Sequence, residues 1–168
     1  METITIDNYS IGKTYPCFVV AEIGINHNGN TELAKKTIDA AVAAGANAVK
    51  FQNYSTQDFI SNNNLLYEYI SQGKKVVESQ YEMFKRCELR REDLRDLRDY
   101  CLRRSINFHS TPTSQQGIED LVDLGVSVLK NGSDYLTHTP LISSMGQTGL
   151  PTVLSTGMAT LAEIDDAV

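Results

Sequence analysis

Short apolar runs alternate with amphipathic stretches along most of the chain, and this alternation predicts strands that are each followed by a helix. The strand-like runs cover residues 18–23, 46–52, 106–111, 126–130 and 152–156. The first helix-like stretch begins near residue 30 and the last near Leu161. Three others cover residues 91–104, 115–124 and 139–148. A strict β-then-α order is typical of parallel strands joined by right-handed crossovers. The pattern therefore predicts an α/β fold with five βα units.

Two segments do not follow this alternation. Residues 3–12 alternate threonine, isoleucine and polar groups around Asp7 and Asn8, which predicts a small antiparallel β-ribbon before the main fold. Residues 53–80 are polar and include three consecutive asparagines and Gly73. That stretch is too long for a plain connection, so we predict a lid or substrate loop, with a disordered insertion as the alternative.

Strict alternation fits either a doubly wound sheet or part of a (β/α)8 barrel. No phosphate-binding glycine fingerprint follows the first predicted strand, and polar groups end all five strands rather than meeting at one switch point. These features favour the TIM-barrel type. Because a complete barrel needs at least about 200 residues, we expect residues 1–168 to form a single domain that is a partial barrel.

Composition limits the classes of partner. The net charge is −6 and the chain has no long run of Lys or Arg, which argues against a nucleic-acid partner. The first ten residues are polar and acidic, and no stretch approaches the roughly 20 apolar residues of a membrane span. The three cysteines are widely spaced and form no CxxC pair. We therefore expect a cytoplasmic protein with reduced thiols and no membrane partner.

Charged and hydroxyl-bearing side chains stand at the ends of the predicted buried strands. Lys50 and Lys130 end two of them, and period-two geometry places Gln52 on the same side as Lys50. Hydroxyl-rich turns follow three strands, at 110–112, 132–134 and 155–157. Because buried ammonium groups need a compensating anion, this pattern predicts a phosphate or carboxylate ligand.

Each of these residues also has a purely structural interpretation. Lys50 and Lys130 could form ion pairs with Glu22 or Asp134, and the hydroxyl groups could cap helices or close turns. Glu22 ends the first strand and is the best candidate for proton transfer. His27 and His109 lack metal-ligand spacing, so we interpret them as scaffold residues and assign no metal ligand.

Five segments, in the same order, resemble the sialic acid synthase family. They are AEIGINHNG (21–29), VKFQ (49–52), STP (110–112), LK-x-GS (129–133) and LSTGMATLAEI (154–164). The resemblance implies condensation of phosphoenolpyruvate with an N-acyl hexosamine such as N-acetylmannosamine, giving a nine-carbon sialic acid and phosphate. It further implies a longer parent protein, whose last barrel strands and small C-terminal antifreeze-like domain lie beyond residue 168.

The same resemblance implies roles for individual residues and for a cofactor. Phosphoenolpyruvate would be held by five of them, namely Lys50, Thr111, Lys130, Ser133 and Ser155. Glu22 and Gln52 would act catalytically near the reacting carbons. A divalent cation, Mn²⁺ or Mg²⁺, is implied, with its histidine ligands beyond this chain, and a homodimer is implied for the full-length form.

Three positions depart from the family pattern, and three functions stay open. Asn131 stands where an apolar residue is usual, Thr113 replaces an aromatic residue, and His109 replaces an aliphatic one. The acceptor sugar is therefore open. The first hypothesis is the synthase, the second a non-catalytic fragment that binds a phosphate or sugar acid, and the third a Schiff-base aldolase using Lys50 or Lys130.

Overall fold

Parallel strands alternating with helices form the main body of the protein. The computed structural model describes residues 3–71 and 73–168. The strands are β1 (Ile4–Ile6), β2 (Tyr9–Ile11), β3 (Val20–Gly24), β4 (Ala48–Asn53), β5 (Leu66–Ser71), β6 (Lys74–Ser79), β7 (Asn107–Pro112), β8 (Leu129–Asn131) and β9 (Thr152–Leu154). The helices are α1 (Thr31–Ala43), α2 (Thr56–Phe59), α3 (Gln80–Cys87), α4 (Arg91–Arg103), α5 (Gln115–Asp123), α6 (Thr139–Gln147) and α7 (Leu161–Ala167). A 3-10 helix covers Ser133–Tyr135.

The order of the parallel strands in space follows their order along the chain. β3, β4 and β7 form one parallel sheet in that order, β8 pairs with β9 in parallel, and β8 lies beside β7. The predicted α/β fold with parallel strands is therefore confirmed. An order without reversal has no switch point within the described strands, which favours a barrel over a doubly wound sheet. Closure into a barrel stays a prediction.

The two faces of the sheet have different chemistry because successive side chains on a strand point in opposite directions. Val49 and Phe51 of β4 pack with Phe108 of β7 in the core between sheet and helices, with 5.5 Å between the two phenylalanine ring centroids. On the opposite face Lys50 lies in register with Glu22 on one side and with His109 on the other. Lys50 therefore lies on the face of the sheet opposite to the apolar residues of its own strand.

The helix starts follow their capping residues. The Asn30 side chain accepts a hydrogen bond of 2.9 Å from the Leu33 N–H and so caps the start of α1. The other predicted helices and strands are present with bounds that differ by a few residues. The predicted β-ribbon is confirmed as β1 and β2, with Asp7 in the turn at a φ of 47°. The Asp7 carboxylate accepts a hydrogen bond from Asn107, which joins the ribbon to β7.

Residues 53–80, predicted as a lid or substrate loop, form regular secondary structure, and their role at the site stays a prediction. The segment contains α2, an antiparallel hairpin of β5 and β6, and the first residue of α3; residue 72 lies outside the described residues. The strands contain the β-favouring residues tyrosine, isoleucine and valine, and Gly73 adopts a positive φ of 76° in the turn. That is a hairpin pattern, which the many asparagines and other polar residues obscured.

No helix in the described ranges is long and apolar enough to cross a membrane. The three cysteines are free thiols, with Cys17 exposed and Cys87 and Cys101 buried. Burial raises the pKa of the Cys101 thiol to about 12. That thiol is consequently protonated and unreactive at neutral pH.

Candidate functional site

A cavity of about 430 Å³ opens at the carboxyl ends of the parallel strands. It is lined by all seven residues that the sequence analysis selects, namely Glu22, Lys50, Gln52, Thr111, Lys130, Ser133 and Ser155. These residues come from five different strands or the turns that follow them, so only the fold brings them together. We call this space the mouth cavity.

Lys50 is held in the mouth cavity by an ion pair. Its ammonium nitrogen lies 2.8 Å from Glu22 Oε1, and its side chain is only 7% exposed, whereas that of Glu22 is 60% exposed. The pair forms because β3 and β4 place Glu22 and Lys50 in register. The ion pair between Lys50 and Glu22 that the structural interpretation predicts is therefore present. Glu22 is nevertheless exposed to solvent and able to contact a ligand.

Lys130 has no such carboxylate. Its ammonium donates hydrogen bonds to the Asn131 carbonyl oxygen, at 2.6 Å, and to the Ser155 hydroxyl. No carboxylate of residues 3–71 or 73–168 lies within ion-pair distance of it, and the predicted alternative pair with Asp134 is absent from the same ranges. Burial, and next the charge of Lys50, lower the pKa of Lys130. Lys130 therefore offers a cation that an anionic ligand would compensate.

The Thr111 hydroxyl also indicates that the mouth cavity binds a ligand. Thr111 is 6% exposed and lines the mouth cavity, yet its Oγ1 has no hydrogen-bond partner among the described residues. A buried hydroxyl without a partner costs about 1–3 kcal/mol. A ligand oxygen in the cavity would remove that cost, so Thr111 is preorganised to bind one.

His109 lies on the face of the sheet opposite to the helices, and it does not line the mouth cavity. It lines a smaller space of about 230 Å³, together with Lys50, Lys130 and apolar residues of β1, β2, β3 and β9. Its Nδ1 is 3.4 Å from Asn107 Oδ1, and 3% of the residue is exposed. Burial, then the charges of Lys50 and Lys130, lower the pKa of His109 to about 4. His109 is therefore neutral at physiological pH, in keeping with a scaffold role.

Acidification is expected to destabilise the protein through His109. The pKa is 6.5 when the imidazole is unperturbed and about 4 in the fold, so between these values the unfolded chain binds a proton that the native protein does not. The contribution of His109 to the free energy of unfolding is full above pH 6.5. It falls by about 3 kcal/mol as the pH drops to 4, at 1.36 kcal/mol per pH unit. Urea unfolding at pH 7 and pH 4.5 measures this loss, and His109→Leu should reduce it. An equal loss in the variant would contradict the assignment.

His27 is a scaffold residue, as predicted. The imidazole is 1% exposed, its Nδ1 accepts a 3.0 Å hydrogen bond from the Gly29 N–H, and its ring lies 5.9 Å from that of Phe51. Burial lowers the pKa of His27, so the ring stays neutral. His27 thereby fixes the loop between β3 and α1, from which Gly24, Ile25 and Asn26 line the mouth cavity.

The structure adds residues that the sequence analysis did not select. Asn26, Tyr54, Phe59, Thr113 and Asp134 also line the mouth cavity. Tyr54 and Phe59 lie in the segment that was predicted as a loop, so no pattern indicated where they would point. Of the three departures from the family pattern, Thr113 reaches the mouth cavity and His109 the interior. Asn131 is fully buried and lines neither space, and its Oδ1 has no partner in the described part of the chain.

The described residues do not form a complete metal site. Within 3–71 and 73–168 there is no group of three or more His, Cys, Asp or Glu side chains that could hold a metal ion. The mouth cavity itself offers two carboxylates, Glu22 and Asp134, and the first already binds Lys50. A divalent cation at this site would therefore need ligands from outside these residues.

The chain is similar to proteins that are named as sugar-acid synthases. The model described as "NeuB family" matches residues 37–168. The chain is 37% identical over 94% of its length to N,N'-diacetyllegionaminic acid synthase of Legionella pneumophila, covering 44% of that protein. It is 30% identical over 90% of its length to human N-acetylneuraminate-9-phosphate synthase, covering 42% of it.

A solved structure supports the same placement. The N-acetylneuraminic acid synthetase of Leptospira borgpetersenii, determined in complex with citrate, superimposes with a TM-score of 0.87 at 30% identity over 99% of this chain and 53% of that one. The chain thus spans about half the length of the relatives it matches.

Proposed function

Because the chain belongs to the NeuB family, we propose that it supplies the phosphoenolpyruvate-binding half of a synthase that condenses this substrate with an N-acyl hexosamine. The observation that carries the proposal is the convergence, in one cavity, of a buried lysine, a partly buried lysine and a threonine hydroxyl that has no partner among the described residues. Phosphoenolpyruvate bears a phosphate and a carboxylate, which these groups would bind. Relatives named for neuraminic, legionaminic and pseudaminic acid leave the acceptor sugar open.

In the proposed reaction C3 of phosphoenolpyruvate attacks the aldehyde carbon of the acceptor, and a C–C bond forms. Water adds to C2, which has become electron-poor, and the C2–O bond to phosphate breaks, so that a nine-carbon 2-keto acid and inorganic phosphate result. The developing positive charge at C2 would be stabilised by a nearby carboxylate, and the departing phosphate by fixed ammonium groups.

The observed contacts suggest how this chain's residues divide the work. Lys130, Ser155 and Thr111 would bind phosphate oxygens, because Lys130 has no carboxylate partner and Thr111 has no partner at all within the described ranges. Glu22 would act near C2, where the ion pair with Lys50 positions it. Gln52, on the same face as Lys50, would orient the water or the acceptor.

A divalent cation, Mn²⁺ or Mg²⁺, and a homodimer remain part of the proposal for the full-length protein. The cation would polarise the acceptor's aldehyde oxygen when bound. Its missing ligands would come from the part of the relatives' length that this chain does not span. The mouth cavity would be the anion site with or without a bound cation.

Phosphate release tests the proposal. Phosphoenolpyruvate, N-acetylmannosamine and Mn²⁺ are supplied to the chain alone and to a hybrid in which the C-terminal part of the Legionella relative follows residue 168. We expect substrate-dependent phosphate release from the hybrid. A hybrid that binds phosphoenolpyruvate without releasing phosphate would favour a non-catalytic binding fragment. A chain and a hybrid that both fail to bind phosphoenolpyruvate would contradict the proposal.

A Schiff-base aldolase is a second candidate, favoured by the lowered pKa of Lys130. A lysine with a lowered pKa provides the neutral amine that attacks a carbonyl carbon. Borohydride reduction in the presence of pyruvate, followed by mass spectrometry, separates the two functions. The synthase requires no covalent adduct, whereas the aldolase would leave one on Lys130.

A further inference from the structure

The mouth cavity has an aromatic wall on one side. Phe59 of α2 is half-buried and lines the cavity beside Tyr54, which is 5% exposed. The Phe59 ring centroid lies 5.4 Å from that of Tyr54 and 4.9 Å from that of Phe84, in an edge-to-face arrangement with the latter. Because its neighbours fix it, the Phe59 ring presents a rigid apolar surface to the cavity.

The polar and apolar parts of the cavity are separate. The ammonium groups of Lys50 and Lys130 and the hydroxyl of Thr111 belong to the strand ends that form its floor. Phe59 stands on a helix that begins beyond the end of β4, and it belongs to the rim. A substrate that reacts with an anion held on the floor must approach from the rim side, and it would therefore pass Phe59.

We propose that Phe59 is a specificity-determining residue that contacts the N-acyl group of the acceptor sugar. This inference rests on the proposed function for the identity of the acceptor. N-acetylmannosamine carries one methyl group among many hydroxyls, and a fixed aromatic ring is an apolar surface against which a methyl group can be buried. Thr113, a small residue that follows β7, lines the same cavity.

Comparison of two sugars tests this assignment. N-acetylmannosamine and mannose differ in the N-acetyl group, and their dissociation constants are measured by calorimetry, with and without phosphoenolpyruvate. We expect the wild-type chain to prefer N-acetylmannosamine by roughly 10-fold, the usual value of one methyl-sized apolar contact in a pocket. Phe59→Ala should reduce the preference to about 2-fold or less, and Phe59→Leu, which retains most of the volume, should lie between.

Phe84→Leu is the matched control. Phe84 belongs to the same aromatic cluster but is not among the described residues that line the mouth cavity, so its variant weakens the cluster without removing the proposed contact. It should keep the preference, and phosphoenolpyruvate affinity should change less than about 2-fold in Phe59→Ala. Retention of the full preference in Phe59→Ala, or no preference in the wild-type chain, would overturn the inference. A chain that prefers the N-acetyl sugar through Phe59 but binds no phosphoenolpyruvate would contradict the proposed function alone.

Discussion

Replacement of Lys130 with alanine is expected to weaken phosphoenolpyruvate binding by roughly 1,000-fold, or about 4 kcal/mol, since removal of one partner of a buried charge pair typically costs 2–5 kcal/mol. The ammonium group has no carboxylate partner among the described residues, so its loss leaves the ligand's phosphate without that compensation. Isothermal titration with phosphoenolpyruvate measures the change. Lys130→Met, which keeps the apolar stem, separates loss of charge from loss of packing.

Removal of the Lys130 charge should not destabilise the free protein. Burial lowers the pKa of Lys130, which means that the fold disfavours its charged form. We therefore expect Lys130→Met to unfold in urea at the wild-type midpoint or above it. Unchanged phosphoenolpyruvate affinity in both variants would show that the anion binds elsewhere, and a large loss of stability would indicate a structural role instead.

The positions of the floor residues could be predicted because strand geometry is simple. Once Val49 and Phe51 are assigned to the core, Lys50 and Gln52 must face the other way. The same argument places Thr111 beyond His109 on β7. Which charges pair could not be predicted, because this depends on register between strands. Glu22 is opposite Lys50, whereas no carboxylate of the described residues reaches Lys130.

The rim of the cavity could not be predicted in this way. Phe59 reaches the cavity only because α2, α3 and the hairpin between them pack as a unit, with Tyr54, Phe59 and Phe84 in contact. These contacts join residues up to 30 positions apart, as in the hydrogen bond from the Tyr54 hydroxyl to the Phe84 carbonyl oxygen. No local periodicity encodes such packing, and the polar composition of the segment pointed away from it.

Gly29→Ala is expected to destabilise the protein by about 4 kcal/mol, through two separate effects. Gly29 adopts a φ of +74°, which costs a residue with a Cβ roughly 1–2 kcal/mol. A Cβ at this position would also stand 2.1 Å from the Arg86 carbonyl oxygen of α3, so the loop and the helix would have to separate. Such overpacking typically adds about 1–3 kcal/mol.

Gly45→Ala isolates the first effect. Gly45 has a similar φ of +79°, and an added Cβ there would have no atom within 4 Å, so we expect a loss of only about 1–2 kcal/mol. Urea unfolding of both variants measures the difference. Equal losses would mean that the loop does not approach α3 as described. A larger loss for Gly29→Ala, together with weaker phosphoenolpyruvate binding, would show that this contact holds the loop in place at the mouth cavity, because Gly24, Ile25 and Asn26 of the same loop line its wall.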